Sequence, residues 1–335
     1  TDLQALSTSQ IVALGTAQVA ALTVDQVAAL TTAQALNLLT AQVAAMGVGQ
    51  VAAMETADLS VLTTNQIGVL SSAQIAGLTD GQVASLTTVQ VGALSTAGVR
   101  ALSVSQVVAL TSLQASVLTT AQIAVLTTGQ VAAMETNDLR ALTTVQAAVL
   151  ASNQISVLSV DQVGALTSYQ IAALGTGALR GLSNTQVAAL NSTQVQALTT
   201  AQVASLTVAQ VAAIEVAEVA SLTTQQLVAL TTQQVVGLSV DQIAGLTSVQ
   251  VSNLTTSQVA ALTSAQIVAV ETGDLRALTT TQVAALTSSQ VGALSLEQVG
   301  VLTTQQVPNL SVSAVRALAV DRVAVLSSAQ VFSLT

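Results

Sequence analysis

A repeat of eight residues occupies nearly the whole chain and constrains its fold more than any other feature. From Leu6 to Ser333 the sequence divides, without insertion or deletion, into forty-one consecutive octapeptides, here called octads. The first reads Leu6-Ser-Thr-Ser-Gln10-Ile11-Val-Ala, and the positions of every octad are numbered 1 to 8 from this leucine. The consensus is Leu, Thr/Ser, Thr/Ser/Val, variable, Gln, Val/Ile, variable, small. So short and regular a repeat predicts one structural element per octad, stacked along a solenoid.

Capping chemistry identifies this element as a short α-helix. Thr or Ser at position 2 and Gln at position 5 form a capping box, in which the hydroxyl accepts a first-turn N–H and Gln accepts the N–H of the cap. Leu at position 1 and Val or Ile at position 6 then form a hydrophobic staple. Positions 3 to 8 predict about one and a half helical turns, followed by an extended Leu-Thr pair that leads into the next helix.

Two other folds are alternatives to a solenoid of short helices. In one continuous helix, each octad would rotate the leucine by about 80°, so the apolar stripe would have no fixed seam. A β-solenoid keeps side-chain parity over eight residues and could stack Thr and Gln in ladders. Its corners normally need Gly, Asn or Asp at fixed offsets, whereas the 18 glycines are scattered over several octad positions. The sequence favours an all-α superhelical solenoid of very short capped helices, one per octad, with a β-solenoid as the alternative.

The uninterrupted frame predicts a single continuous solenoid over residues 1–335, with its octads at 6–333. Positions 1 and 6 are the expected core, and small residues at position 8 allow close approach. Pro308, at position 7, predicts a shortened or distorted helix because proline removes a backbone donor. No terminal capping repeat is recognisable, and the pattern stops midway, so we expect a segment of a longer chain.

The few charged residues follow a longer period. Acid octads, with Glu at position 2 and Asp or Glu at position 5, alternate with octads that carry Arg at position 7, mostly at steps of five octads. If five octads made one superhelical turn, these charges would stack as an alternating column. Duplication of a unit of ten octads would produce the same spacing without contact. The candidate inter-turn ion-pair residues are Glu55, Asp58, Arg100, Glu135, Asp138, Arg180, Glu215, Glu218, Glu271, Asp274 and Arg316.

Composition argues against most enzyme chemistry and two classes of partner. The chain has no His, Cys, Lys or Trp, so activated nucleophiles and transition-metal ligands are missing. Each acid octad offers two carboxylates, fewer oxygens than Ca²⁺ requires. We therefore predict no enzyme activity, no cofactor and no metal site. A net charge of −9 opposes nucleic-acid binding, and no stretch is long and apolar enough to predict a transmembrane segment.

Tracts such as Leu118-Thr-Thr-Ala-Gln122-Ile123-Ala-Val resemble the low-complexity regions of very large bacterial secreted or cell-surface proteins, often labelled adhesins, hemagglutinins or heme-utilisation proteins. The resemblance is compositional and covers the whole chain. It implies a non-catalytic extracellular stalk, fibre or surface filament, whose partners are further copies or other chains of the filament. The heme label does not carry over, because His and Cys ligands are absent. A module whose regular surface binds ice, glycan or mineral is the alternative function.

Overall fold

The computed structural model of the chain describes residues 2–334, in which short helices alternate with extended linkers along the whole range. This range contains forty α-helices of four to six residues and two 3₁₀-helices, Asp2–Ala5 and Val307–Asn309, and no strand. Every octad carries one helix, and the α-helices begin at position 3, directly after the predicted cap at position 2. The all-α solenoid is thereby confirmed, and the β-solenoid alternative is excluded for the described residues.

The α-helices are numbered in chain order. Helices α1 to α21 are Thr8–Ala13, Thr16–Ala20, Val24–Ala28, Thr32–Asn37, Thr40–Ala45, Val48–Ala53, Thr56–Ser60, Thr64–Gly68, Ser72–Ala76, Asp80–Ser85, Thr88–Ala93, Thr96–Ala101, Val104–Val108, Ser112–Val117, Thr120–Val125, Thr128–Ala133, Thr136–Ala141, Thr144–Ala148, Ser152–Ile155, Val160–Ala165 and Ser168–Ala173. Helices α22 to α40 are Thr176–Arg180, Asn184–Ala188, Ser192–Ala197, Thr200–Ser205, Val208–Ala212, Val216–Ser221, Thr224–Ala229, Thr232–Gly237, Val240–Ala244, Ser248–Asn253, Thr256–Ala261, Ser264–Ala269, Thr272–Ala277, Thr280–Ala284, Ser288–Ala293, Leu296–Gly300, Val312–Ala317, Val320–Ala324 and Ser328–Ser333.

Helix α16 shows how one octad forms. The N-cap Thr127 is extended, at φ −70° and ψ 159°, and its hydroxyl accepts the N–H of Gln130 at 3.2 Å. The Oε1 atom of Gln130 accepts the N–H of Thr127 at 2.8 Å, which completes the predicted capping box. The helix ends at Met134, extended at φ −60° and ψ 135°, so two extended residues join consecutive helices. No described residue has a positive φ, which explains why glycine needs no fixed position.

Pro308 causes the predicted local distortion. Its octad contains the 3₁₀-helix Val307–Asn309, whereas each of the other forty octads contains an α-helix. The proline ring removes the N–H that position 7 would donate within an α-helix, and the shorter 3₁₀ turn replaces it. The frame continues unchanged into α38, so one proline alters one octad without disturbing the repeat.

The chain forms two compact units, Thr1–Ala178 (unit 1) and Leu179–Thr335 (unit 2), each built in the same way. Helices three octads apart pack together, such as α9 with α12 in unit 1 and α31 with α34 in unit 2. The continuity of one solenoid across both units stays a prediction. No helix in the described range is long and apolar enough to span a membrane.

Positions 1 and 6 form the core of each unit, as predicted. Side chains such as Val131 and Leu142 are almost fully buried. Small residues at position 8 lie against position 3 of the helix three octads earlier, and a Cβ added at Gly77 would overlap Cγ1 of Val48. Burial of apolar side chains supplies the main driving force for folding, and the small position 8 permits the approach it needs.

The prediction of five octads per turn is wrong. Contacts recur between helices three octads apart, and side-chain hydrogen bonds reach carbonyls 28 and 31 residues earlier. A turn within either unit therefore contains between three and four octads. The charged residues recur mostly every five octads, which is longer than this turn. The packing of the octads sets the length of the turn, and the charges follow a different period.

Candidate functional site

The side chain of Gln130 shows how successive turns are joined. Besides its capping bond, its Nε2 atom donates to the carbonyl oxygens of Val99 at 2.9 Å and Leu102 at 2.8 Å, 31 and 28 residues earlier. The side chain is 2% exposed, so these bonds form away from solvent. One buried amide thus uses its oxygen to cap its own helix and its nitrogen to bind the preceding turn.

These bonds recur along both units and form what we call the glutamine ladder. Gln34 is the first residue to make them, and in unit 2 Gln290 donates to Val259 at 2.8 Å and Leu262 at 2.6 Å. The accepting carbonyls belong to position 6, late in a helix, and to position 1, in the extended linker. The position 6 carbonyl also accepts the N–H of the position 1 residue three places later, as Val99 accepts from Leu102 at 3.3 Å, whereas the position 1 carbonyl lies beyond the helix and depends on the glutamine. The ladder therefore allows short helices and their linkers to be buried together.

The sequence predicts only half of this role. The capping bond was predicted, but the inter-turn bonds were not, because two residues so far apart in sequence form no recognisable motif. A signal was nevertheless present. A capping box accepts Glu as well as Gln, yet position 5 is Gln in nearly every octad and Glu only at Glu218. A side chain that must both accept and donate explains this exclusive use of the amide.

Three kinds of residue replace Gln at position 5. Arg322 keeps one of the two inter-turn hydrogen bonds, because its Nε donates to the carbonyl of Leu294 at 2.6 Å, 28 residues earlier. Gly98, Ala178 and Ala314 have no polar side chain, so their octads make no side-chain hydrogen bond from position 5 to the preceding turn. The remaining replacements within the octads are carboxylic acids, the position 5 residues of the acid octads.

The acid octads place a carboxyl group where the ladder has an amide. Asp58 and Asp138 are each 3% exposed, and the Oδ2 atom of each has no hydrogen-bond partner in the described structure. An ionised carboxylate cannot donate to the carbonyls that the ladder uses. Hydroxyl groups 26 residues earlier donate to three of the four acids: Ser112 to Asp138 at 2.7 Å, Ser192 to Glu218 at 3.2 Å, and Ser248 to Asp274.

Burial raises the pKa of both aspartates. For Asp58, loss of hydration is the largest cause. The carboxylate of Glu55 raises the pKa further, and the hydroxyl of Thr32 lowers it. For Asp138, loss of hydration is again the largest cause; the Ser112 hydroxyl opposes it, and the Glu135 carboxylate adds to it. Both groups keep a proton to higher pH than an exposed aspartate does. A protonated carboxyl group can donate a hydrogen bond, as the glutamine amide does.

The candidate ion-pair residues do not form the predicted column. Asp58 lies on α7, which packs against α4 and α10, whereas Arg100 lies on α12, which packs against α9 and α15. Within residues 2–334 the one ion pair joins the sequence neighbours Arg322 and Asp321 at 4.0 Å. The column does not form because one turn contains fewer than five octads, so helices five octads apart do not pack against each other.

The other candidates also lie apart from one another. The position 2 glutamates are N-caps whose side chains make no capping hydrogen bond, and they are exposed; they are Glu55, Glu135, Glu215 and Glu271. The arginines Arg100, Arg180 and Arg316 are exposed as well. In the part of the chain that the structure describes, no group of three or more Asp, Glu, His or Cys side chains is placed to hold a metal ion.

Two surface clefts share one construction. One wall of each cleft is an arginine at position 7. The opposite wall comes from the octad three further along the chain and consists of the end of its helix and the Thr-Thr pair that follows. Their volumes are about 360 and 420 Å³. Their lining residues include Arg100, Thr127, Thr128 and Asn153 in unit 1, and Arg276, Thr303, Thr304 and Ser327 in unit 2.

Comparison with known families gives one match. The family described as the ALTTAQ repeat matches residues 1–32, 51–88, 88–120, 131–168, 171–208, 211–248 and 267–304, more than half of the chain. The hexapeptide itself occurs at 29–34 and 197–202, where it spans position 8 and the next positions 1 to 5. It thus contains the linker leucine, the cap and the ladder glutamine. No protein of curated function matches the chain.

Loss of one ladder glutamine is expected to destabilise the fold more than loss of a capping glutamine. Gln130→Ala leaves the Thr127 N–H and the buried Leu102 carbonyl without partners and takes one of two donors from the Val99 carbonyl, so the free energy of unfolding should fall by about 2–4 kcal/mol. Gln26 is exposed and makes only the capping bond, so Gln26→Ala should cost about 1 kcal/mol or less. Urea denaturation followed by circular dichroism measures both, and equal losses would contradict the ladder.

Restoring a missing rung should stabilise unit 1. Asp138→Gln gives the side chain an amide that can donate to the carbonyls of Val107 and Leu110, which precede it by the same intervals as Val99 and Leu102 precede Gln130. We expect the free energy of unfolding at pH 7 to rise by about 1 kcal/mol. Asp161→Gln is the control, since Asp161 is an exposed position 4 residue outside the ladder. A loss of stability in Asp138→Gln alone would show that the acid has a structural role of its own.

The buried aspartates should make stability depend on pH in a particular direction. Their pKa is raised in the folded state, so their contribution is complete below the unfolded pKa of about 3.9 and is lost as pH rises through the folded pKa. Relative to an Asp58→Asn, Asp138→Asn double variant, the wild type should therefore lose stability as pH rises above about 4. Denaturation curves across this range test it, with Asp161→Asn as control. Parallel pH profiles for wild type and double variant would refute the assignment.

Proposed function

This chain belongs to the ALTTAQ repeat family, and we propose that it is a non-catalytic structural repeat protein of the cell exterior, part of a stalk, fibre or surface filament. The observation that carries this proposal is the glutamine ladder. Most octads present the same hydrogen bonds to the turn before them, so octads are interchangeable building units whose number can vary. A repeat of this kind suits a spacer whose useful property is its length.

Composition supports the same role. Only 6% of the residues are charged, and an octad needs little beyond Leu, Thr or Ser, Gln, Val and Ala to cap, pack and bond. The cell exterior is proposed from the resemblance to repeat regions of bacterial surface proteins.

Deleting whole octads tests the spacer role. Removal of residues 62–117, seven octads of unit 1, should leave a folded helical protein with a smaller maximum dimension in X-ray scattering, because the deletion keeps the octad frame and most octads are bonded alike. Removal of residues 62–65, half an octad, breaks the frame and should cost helicity and stability although it removes less chain. The proposal would be contradicted if the seven-octad deletion unfolded the protein or left its maximum dimension unchanged. Antibody labelling of intact cells tests the location, and labelling only after permeabilisation would overturn it.

The two equivalent clefts favour one alternative, a repetitive binding surface. Each places an arginine that forms no ion pair beside two threonine hydroxyls, groups that suit an acidic glycan. Glycan-array binding that is lost in an Arg100→Gln, Arg276→Gln variant would support this alternative over a purely structural role.

A further inference from the structure

The acid octad of Asp138 leaves two oxygen atoms without a hydrogen-bond donor. One is the Oδ2 atom of Asp138, a residue that is 3% exposed. The other is the carbonyl oxygen of Leu110, a buried residue whose carbonyl receives no hydrogen bond within residues 2–334. Leu110 precedes Asp138 by 28 residues, the ladder spacing. Asp138 therefore sets an acceptor against the carbonyl to which a ladder glutamine would donate.

This octad keeps the register of the ladder. Helix α17, which carries Asp138, packs against α14, and the hydroxyl of Ser112 on α14 donates to Oδ1 of Asp138 at 2.7 Å. The backbone N–H of Glu135 also donates to the carboxyl group, as a cap N–H does to glutamine elsewhere. The carboxyl group is thus held in place while Oδ2 stays buried without a partner.

Asp58 repeats the arrangement ten octads earlier. Its Oδ2 atom is unpartnered, the residue is 3% exposed, and its helix α7 packs against α4. The hydroxyl of Thr32 corresponds to that of Ser112. The carbonyl of Leu30 corresponds to that of Leu110 and likewise receives no hydrogen bond from the described residues. The same set of oxygen atoms therefore occurs twice in unit 1.

A second carboxylate accompanies each of these aspartates. Within the octads, Glu occupies position 2 four times, and these are the four octads with an acid at position 5. Glu is not among the preferred N-caps, and none of the four makes a capping hydrogen bond. Glu55 lies close enough to Asp58 to disfavour its ionisation. Two like charges that replace a cap and a ladder bond together indicate a ligand of positive charge.

The length of aspartate leaves room for a cation between two turns. Aspartate is one methylene shorter than glutamine, so its carboxylate ends short of the point from which Nε2 of Gln130 donates to a carbonyl at 2.8 Å. A cation needs this space because it contacts oxygen atoms on both sides, at about 2.3–2.6 Å for Ca²⁺. The carbonyls at the ladder spacing belong to the ends of α3 and α13, and positive charge is favoured at a helix C-terminus.

The available ligands suit calcium. Asp138, Glu135 and the carbonyls of Val107 and Leu110 supply about five oxygen atoms, and water completes the shell beside the exposed Glu135. Ca²⁺ accepts about six to eight oxygen ligands in flexible geometry, whereas Mg²⁺ requires a strict octahedron. A monovalent ion would neutralise only one of the two carboxylates. The sequence predicts no metal site because the carboxylates alone are too few, and only the turn before them adds the carbonyls.

We propose that the octads of Asp58 and Asp138 each bind one Ca²⁺ ion between successive turns, in the place of the glutamine amide. The ion joins the Asp and Glu carboxylates of one turn to the carbonyls of the turn before, as the ladder does elsewhere with hydrogen bonds. This goes beyond the spacer role, because it makes the stability of unit 1 depend on a dissolved ion. The expected Kd is about 0.1–1 mM, as in extracellular calcium modules.

Calcium titration of chain 1–335, freed of divalent cations with a chelator, tests the proposal. The wild type should bind Ca²⁺ in calorimetry with a Kd of about 0.1–1 mM, and its urea midpoint should rise over the same range. An Asp58→Asn, Asp138→Asn variant should bind two fewer ions per chain. The matched control is Asp25→Asn, Asp161→Asn, which removes the same charge at exposed position 4 residues of unit 1 and should bind like the wild type.

A Glu55→Gln, Glu135→Gln variant separates binding from folding. Both glutamates are exposed and make no capping bond, so this variant should fold like the wild type while the Ca²⁺ affinity of the two sites falls about tenfold. The proposal is overturned if Ca²⁺ raises the urea midpoint no more than Mg²⁺ or NaCl at equal ionic strength, or if the aspartate variant binds as many ions as its control. The octad-deletion experiment does not depend on calcium, so the spacer role is tested separately.

Discussion

A buried glutamine amide that is used at both ends is the interaction on which this fold depends. Helices of four to six residues are too short to be stable alone, and the linkers between them carry backbone carbonyls that an α-helix would have paired internally. In α16, Gln130 caps the helix through its oxygen and satisfies the carbonyls of Val99 and Leu102 through its nitrogen. The repeat can therefore bury backbone that most folds leave at the surface, and Leu and Val complete the core around it.

The acid octads are understood best as departures from this ladder. Asp58 and Asp138 occupy the ladder position without its donors, and burial favours their neutral form. Their partners are hydroxyl groups three octads earlier, such as Ser112, rather than the arginines that follow the same long sequence period. A charge pattern that suggested pairing between turns thus marks places where the ladder is interrupted.

Much of the local structure could be predicted, because it depends on residues within one octad. The helix, its cap at position 2, the core at positions 1 and 6, and the distortion at Pro308 all follow from interactions between near neighbours in sequence. The site was predicted less well. The five-octad turn was wrong, and the ion-pair column built on it did not form, because a period in the charges carries no information about how far the chain advances in each turn. The second bond of Gln130 was missed for a related reason: its partners lie 28 and 31 residues away.

By itself, the sequence determined that this chain is a solenoid of capped helical octads, since eight residues are enough to specify a cap, a staple and a linker. Only the tertiary structure decided that each turn contains between three and four octads, and therefore which residues meet. Close packing at position 8 and the reach of a glutamine side chain set that number. Both are properties of two turns in contact, and neither is present within a single octad.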